Sequence, residues 1–131
     1  MQVNGEKDSP KLVEIHWEGN SREVLAGFPE EIRGGLGFAL YELQLGRQPS
    51  IATRRMESVG SGVYELKESD EGAWYRVIYL SKIDDVIYIL HCFEKRSRKT
   101  DQRDLTIAGE RLSRVRKRIE ERRKHEKHSR K

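Results

Sequence analysis

Basic and aromatic side chains are interleaved along residues 62–99, and their types suit the binding of single-stranded RNA. Arg76 is the most informative of them, because it is an always-charged residue within the apolar and aromatic segment 73–80. A guanidinium in such a strand must reach a carboxylate, the open face of the sheet or a ligand. Lys67 lies on the preceding segment, and a basic run follows the next one: Lys95, Arg96, Arg98 and Lys99. Together these residues predict a positively charged groove with aromatic rings beside it.

The same residues also have purely structural explanations. Lys67 would then be a solvated strand residue, and Arg76 would pair across the sheet with Glu65 or Glu68. Trp74 and the tyrosines of this region would belong to the core or to the sheet surface. Composition alone therefore favours a basic binding module over an enzyme.

Most metal-dependent and nucleophilic chemistries are excluded by what the sequence lacks. The four histidines are not clustered and Cys92 is the only cysteine, so we expect neither a zinc site nor a disulfide. His91 and Cys92 are neighbours in a predicted strand and point to opposite faces, which excludes a Cys–His dyad. The segment Gly34-Gly35-Leu36-Gly37 lacks the Lys-Ser/Thr ending of a phosphate loop. We expect no metal and no cofactor, and Cys92 in the core.

Charge is distributed unevenly along the 131 residues. The net charge is +4, yet residues 110–131 contain eleven Lys and Arg against four Glu, a local charge of +7. Such a basic tail suggests a polyanionic or acidic partner, most often nucleic acid, although a solvated helix end is the simpler alternative. No apolar run is long enough to cross a bilayer, and no signal-peptide pattern follows Met1. The sequence predicts a cytoplasmic protein without membrane contact.

Hydrophobic periodicity indicates the elements that would position these residues. A first strand is predicted over residues 11–17, followed by a helical hairpin in which Pro29 separates two helices and Gly46 ends the second. Residues 48–61 are predicted to be a linker, with the Arg54–Arg55 pair at the edge of a groove.

An antiparallel meander of three strands follows the linker, over residues 62–68, 73–80 and 86–93. A basic loop then leads to a final helix that Thr100 or Asp101 caps, and its apolar stripe ends at Ile119. The order β-α-α-β-β-β-α predicts an α+β domain with an antiparallel sheet of about four strands, the N-terminal strand at an edge and the helices against one face. Three segments are expected: a disordered start (1–10), the folded domain (11–119) and a basic C-terminal tail (120–131) that frays or stays disordered.

Four motifs stand out between residues 64 and 111. They are Tyr64-Glu65-Leu66-Lys67, then Trp74-Tyr75-Arg76-Val77-Ile78-Tyr79, then Leu90-His91-Cys92-Phe93-Glu94-Lys95-Arg96-Ser97-Arg98-Lys99-Thr100, and finally Asp104 with Ala108 and Arg111. With the order of elements over residues 11–116, they resemble the RelE/ParE toxin superfamily and, within it, the HigB-type, phage-derived group. The chain departs from the family pattern at Asp101, where proline is usual, and at Asp104, where glutamate is usual.

The resemblance implies a RelE-like fold and the toxin of a type II toxin–antitoxin system. Such a toxin is a ribosome-dependent endoribonuclease that inhibits translation: the RNA 2′-OH attacks its neighbouring phosphate, without a metal or cofactor. By matching position, Arg76 would stabilise the transition state, and Lys67 would bind phosphate or transfer a proton. Lys95 and Arg96 would hold the scissile phosphate or the flanking backbone, and Tyr79 would stack or transfer a proton.

The resemblance also implies partners and contacts beyond the catalytic residues. RNA or the ribosome would be contacted by Lys99, Arg98, the Arg54–Arg55 pair and the final helix with Arg111 and Arg114, whereas His91 would be structural. A helix-turn-helix, HigA-like antitoxin would neutralise the toxin, and DNA would be bound only through the complex of the two. Two alternatives remain open: a ParE-like inhibitor of DNA gyrase, and a non-catalytic nucleic-acid-binding regulator of the same fold.

Overall fold

The computed structural model describes residues 11–97, 99 and 101–129. This part of the chain forms five strands and three helices: β1 (Glu14–Trp17), α1 (Ser21–Ala26), α2 (Glu30–Gln44), β2 (Ala52–Arg55), β3 (Val63–Ser69), β4 (Trp74–Ile83), β5 (Val86–Lys95) and α3 (Gln102–Ser129). The predicted disordered start, residues 1–10, lies outside the described residues, and so does Thr100, one of the two predicted caps.

The sheet is mixed, with strand order β1-β5-β4-β3-β2. Strands β2 to β5 are antiparallel, but β1 runs parallel to β5, with Glu14 opposite Val86 and Trp17 opposite Ile89. The N-terminal strand lies at an edge, as predicted, whereas the prediction of a wholly antiparallel sheet was wrong. A tight hairpin enforces antiparallel pairing only between strands that it joins. Two helices and three strands separate β1 from β5, so no such constraint applies to that pair.

The fifth strand lies in the segment that was predicted to be a linker. β2 pairs antiparallel with β3, and this register sets Arg54 opposite Glu65. Its four residues are polar or small and mostly exposed, so the strand carries no hydrophobic alternation. The sheet therefore has five strands in place of the predicted four, and β2 adds two arginines to its edge.

Helices cover both faces of the sheet, which corrects the prediction that they lie against one face. On one face Ile32, Leu36 and Leu40 of α2 pack with a first set of strand residues: Leu66, Val77, Tyr79, Ile87 and Ile89. On the other face the stripe of α3 packs with a second set: Val63, Ile78, Leu80, Tyr88 and Leu90. This arrangement explains why β5 is almost continuously apolar, since both of its faces are buried.

Helix α3 begins where it was predicted to begin and extends further than expected. The carbonyl of Asp101 accepts hydrogen bonds from the amides of Asp104 and Leu105, and the helix continues for 28 residues to Ser129. Residues 121–128 are exposed and helical, in contrast to the predicted frayed or disordered tail. Residues with high helix propensity and ion pairs to the body, such as Arg123 with Asp84 at 3.2 Å, account for the difference.

None of the described helices is both long enough and apolar enough to cross a membrane.

Candidate nucleic-acid interface

Four cationic residues of the predicted site come together on the α3 side of the sheet. Directly paired residues of antiparallel strands point to the same face, and the register aligns Lys67 with Arg76. The neighbouring rows pair Arg54 with Glu65 and Trp74 with Lys95. We call the group of Arg54, Lys67, Arg76 and Lys95, which share this side of the sheet, the basic face. It lies where β4 begins and β5 ends, next to the start of α3.

Arg76 is paired inside the sheet with Glu65, one of the two carboxylates that the simpler explanation named. Its Nη1 lies 3.3 Å from Oε1 and 3.5 Å from Oε2 of Glu65, and both side chains are only 1% exposed. Arg54 reaches the same Oε1 atom from the surface at 3.3 Å, with its side chain 61% exposed. Two guanidinium groups thus flank one carboxylate. These three side chains together carry a net positive charge, and Arg54 is the exposed one.

Lys67 and Trp74 form the aromatic part of the basic face. The Nζ atom of Lys67 lies 5.0 Å from the centroid of the Trp74 ring, within the range of a cation–π contact. Both residues are half-buried. A cation beside a partly exposed ring offers a phosphate contact and a stacking surface at one position, as single-stranded nucleic acid requires.

Lys95 is neutralised by a residue at which the chain departs from the family pattern. Its Nζ forms an ion pair with Oδ2 of Asp101, and the lysine side chain is 15% exposed. The carboxylate of Asp101 contacts the ammonium group of Lys95, which would otherwise be available to a phosphate. Asp101 therefore weakens the positive charge of the basic face.

We expect Asp101→Asn to increase the affinity for single-stranded RNA several-fold, because the charge of Lys95 becomes available to a phosphate. One additional phosphate contact also steepens the dependence of log K on log salt by about 0.7 for a single strand. Fluorescence anisotropy with a labelled RNA over a salt series measures both quantities. Glu23→Gln, which removes one negative charge from the exposed face of α1, is the control. Equal affinities for Asp101→Asn and Glu23→Gln would contradict a specific effect at Lys95.

A groove lies between β2 and the start of α3, and three of the predicted RNA-binding residues line it. Arg54, Arg55 and Lys99 line a cavity of about 340 Å³ together with Met56, Glu57, Ser58 and Leu105. Arg54 and Arg55 thus lie beside a groove, and their contact with RNA stays a prediction. Arg98 lies outside the described residues, and Arg114 is exposed on α3.

His91 and Arg111 form a connection between β5 and α3. His91 pairs with Ile78 of β4, and the register between β5 and β4 shifts directly after this pair. The ring of His91 stacks on Phe93, with the ring centroids 5.0 Å apart. Nε2 of His91 donates to Asp104 at 2.9 Å. Its Nδ1 accepts from Arg111 at 3.4 Å, because a guanidinium only donates. Arg111 also donates to the carbonyl of Leu90 at 2.9 Å.

These contacts agree with the prediction that His91 is structural, and they show that Arg111 makes contacts within the protein. Arg111 was expected to contact the ribosome, but its guanidinium is half-buried and its Nη2 donates to Asn20 at 3.0 Å. It therefore joins α3 to β5 and to the turn before α1. Burial lowers the pKa of His91 below its ordinary value of 6.5, against the opposing effect of Asp104.

We expect stability to decrease as the pH falls from about 7 to 5, because the folded protein resists protonation of His91 more than the unfolded chain does. As the pH falls, the unfolded chain binds this proton at a higher pH than the folded protein does. The free energy of unfolding therefore decreases once the pH falls below the pKa of His91 in the unfolded chain. Urea unfolding at several pH values should give a smaller decrease for His91→Gln than for the wild type. Identical pH profiles for the two proteins would rule out a contribution from His91.

Two of the predicted catalytic residues lie on the opposite face of the sheet, away from Lys67 and Arg76. Tyr79 is 3% exposed in the core beneath α2 and stacks on Tyr64 with centroids 5.8 Å apart. Burial raises the pKa of Tyr79 to about 12, which is unsuited to proton transfer at neutral pH. Arg96 lines a cavity of about 450 Å³ with acidic neighbours that include Asp70 and Glu94.

The core position of Cys92 is confirmed, because the thiol is 1% exposed and burial raises its pKa to about 12. Sequence reasoning did not identify Asp101 as a partner of Lys95. The spacing of Lys95 and Asp101 across a loop and a helix start carries no periodic signal. Among the described residues, no group of three or more His, Cys, Asp or Glu side chains is arranged to hold a metal ion.

The described residues thus form a small mixed α+β protein with a cationic, aromatic-containing face at one end of its sheet. Residues 23–113 match the family described as Phage derived protein Gp49-like (DUF891), and the chain belongs to this family. The match indicates a phage-derived, toxin-like protein, and it contains every residue of the basic face. No curated protein and no solved structure gives a significant match.

Proposed function

We propose that the protein is a HigB-like toxin of a type II toxin–antitoxin system that cuts mRNA on the ribosome. The observation that supports this best is the convergence of Lys67, Arg76 and Lys95, which come from three different strands, on one face. All three lie within the segment that matches the Gp49-like family, a family associated with toxins of the RelE/HigB type.

The reaction that suits this face is attack of an RNA 2′-oxygen on the adjacent phosphorus. The 2′-O–P bond forms while the P–O5′ bond breaks, the 2′-hydroxyl loses its proton and the leaving 5′-oxygen gains one. The products are a 2′,3′-cyclic phosphate and a 5′-hydroxyl. Negative charge grows on the phosphate oxygens in the transition state, so fixed cations stabilise that state more than the substrate.

We assign the contact with the reacting phosphate to Lys67. Its ammonium group is partly accessible and lies beside the Trp74 ring, so that a base can stack where the neighbouring phosphate is bound. Arg76 acts from the interior, since its guanidinium offsets the charge of Glu65 and prevents that carboxylate from repelling the phosphate. The groove with Arg54, Arg55 and Lys99 binds the flanking backbone. Lys95 joins it when a phosphate displaces Asp101 from the ammonium group, and the ribosome holds the mRNA strand in place.

Primer extension on one mRNA in a reconstituted translation reaction tests the proposal. Breaks at codon-spaced positions, dependent on the purified protein and on ribosomes, are the expected result. The same mRNA without ribosomes is the control. Intact mRNA in the presence of a folded, RNA-binding sample would refute the nuclease proposal.

A second candidate is a non-catalytic nucleic-acid-binding regulator, which the burial of Arg76 favours. A guanidinium that is 1% exposed cannot contact a phosphate unless its pair with Glu65 opens, and nucleic-acid binding needs only the exposed cations. Retained RNA binding without cleavage would support this candidate. A DNA supercoiling assay with purified gyrase distinguishes the ParE-like alternative, which predicts inhibition independent of ribosomes.

We also propose that a helix-turn-helix, HigA-like antitoxin neutralises the protein in the cytoplasm, and that DNA is bound only through their complex. Expression of the chain alone should then arrest growth, and coexpression of the antitoxin should restore it.

A further inference from the structure

Three large apolar side chains are exposed in the described part of the chain, and all three lie around the outer face of α2. Phe38 is 58% exposed, Leu12 44% and Tyr41 43%. The rings of Phe38 and Tyr41 are 6.4 Å apart. Leu12 precedes Val13, which is joined to Gln44 at the end of α2 by two hydrogen bonds. Exposed apolar groups gathered in one patch commonly mark an interaction surface.

Two glycines on the same face of α2 are not needed by the fold itself. Gly34 and Gly37 lie one turn apart, and glycine costs about 1 kcal/mol relative to alanine inside a helix. Apart from the adjacent residues and the backbone of the same helix, no atom lies within 4 Å of the position that a Cβ would take at either residue. Gly35 differs, because a Cβ there would lie 2.5 Å from Glu68. Gly34 and Gly37 therefore leave two shallow notches open beside the exposed rings.

We propose that the outer face of α2 binds the α2 helix of a second copy of this chain in antiparallel orientation. A two-fold axis between Gly37 and Phe38 brings Phe38 of each copy over Gly37 of the other. The same axis brings Tyr41 over Gly34. Each ring then fills a notch, and the patch is complementary to itself, as a two-fold interface requires.

The charges along α2 select this orientation. Glu30 and Glu31 lie in the first turn, whereas Arg47 follows the helix end and is exposed. The last turn of α2 contains no basic residue, so the complementary cation is Arg47. Antiparallel pairing sets Glu30 and Glu31 of each helix towards Arg47 of the other copy, and it also pairs the helix dipoles favourably. Parallel pairing would bring like charges together.

The inference is independent of the proposed nuclease activity. The α2 helix covers the face of the sheet opposite the basic face, so the dimer leaves both basic faces open. Stable interfaces bury roughly 1,200–2,000 Å² in total. The contact here is confined to one helix from each copy, so we expect a reversible dimer that dissociates on dilution.

Sedimentation velocity over a concentration series tests the dimer with the full-length protein and without RNA. The wild type should shift from monomer to dimer as its concentration rises, and Gly37→Leu should remain monomeric. Gly109→Leu is the matched control, because Gly109 lies inside α3 and also has no atom near its Cβ position. Thermal unfolding should show that both variants fold. A monomeric wild type at all concentrations, or a dimer that persists in Gly37→Leu, would overturn the proposal.

Charge reversal tests the orientation separately. Glu31→Arg and Arg47→Glu should each weaken the dimer at least several-fold, and the double variant should restore it, because the opposite charges face each other again. Failure of the double variant to recover the wild-type dissociation constant would contradict the antiparallel arrangement.

Discussion

Replacement of Arg76 by alanine is expected to lower the free energy of unfolding by about 3–5 kcal/mol. The guanidinium and the Glu65 carboxylate are both 1% exposed and 3.3 Å apart at their closest atoms. Truncation leaves a buried carboxylate without its buried counter-ion, and the resulting loss exceeds the contribution of any surface ion pair. Urea unfolding monitored by tryptophan fluorescence measures the difference from the wild type.

The double variant Glu65→Leu/Arg76→Met is the control for this result. It removes both charges and fills the space with apolar atoms, so most of the stability should return. Wild-type stability of Arg76→Ala alone would show that the pair contributes little. Cleavage by the folded double variant would show that the reaction needs no direct contact between Arg76 and the phosphate, and it would agree with the assigned role of Arg76 in offsetting the charge of Glu65.

Replacement of Lys67 by alanine is expected to lower the rate of ribosome-dependent cleavage by about 10²–10³-fold, the usual effect of removing one group that stabilises developing charge. The cost in stability should be small, because the cation–π contact with Trp74 is worth about 0.5–1 kcal/mol at an accessible site. The rate measured by primer extension should therefore fall while the unfolding transition remains close to that of the wild type.

Lys11→Ala is the matched control, because Lys11 is an exposed lysine that precedes β1. It should leave the rate of cleavage unchanged. Lys67→Arg should retain part of the activity, since the positive charge is preserved although its geometry differs. Cleavage by Lys67→Ala at the wild-type rate would remove Lys67 from the site. If the wild type does not cleave, the loss of RNA affinity in Lys67→Ala still tests its position on the basic face.

Strong periodicity made most of the fold predictable, and its absence explains the errors. The strands around Arg76 and Cys92 are long and apolar, and α3 begins at the predicted residue. By contrast, β2 consists of four residues without alternation, so only its pairing with β3 identifies it. The parallel direction of β1 depends on contacts with residues more than seventy positions away, which no local pattern encodes.

The candidate site was predictable only as far as strand alternation fixes which face a residue occupies. Alternation correctly separated Arg76 from Tyr79, yet the resemblance led to both being assigned to one site. The side chain of Tyr79 points into the core beneath α2. Arg111 matched a motif, but its guanidinium is used to join α3 to β5. A motif identifies which residue type stands at a position. The role of that residue depends on the partners that the fold brings next to its side chain.

The parallel contact between β1 and β5 also determines when this protein can complete its fold during synthesis. Residues 14–17 are made before their partners at positions 86–89, which follow about seventy residues later. Contacts between such distant segments form slowly, because a long loop must close first. The first strand therefore remains unpaired while β2 to β4 are made. A nascent chain that stops before β5 has no complete sheet. Any activity that needs the finished basic face is consequently delayed until β5, which carries Lys95, has been made.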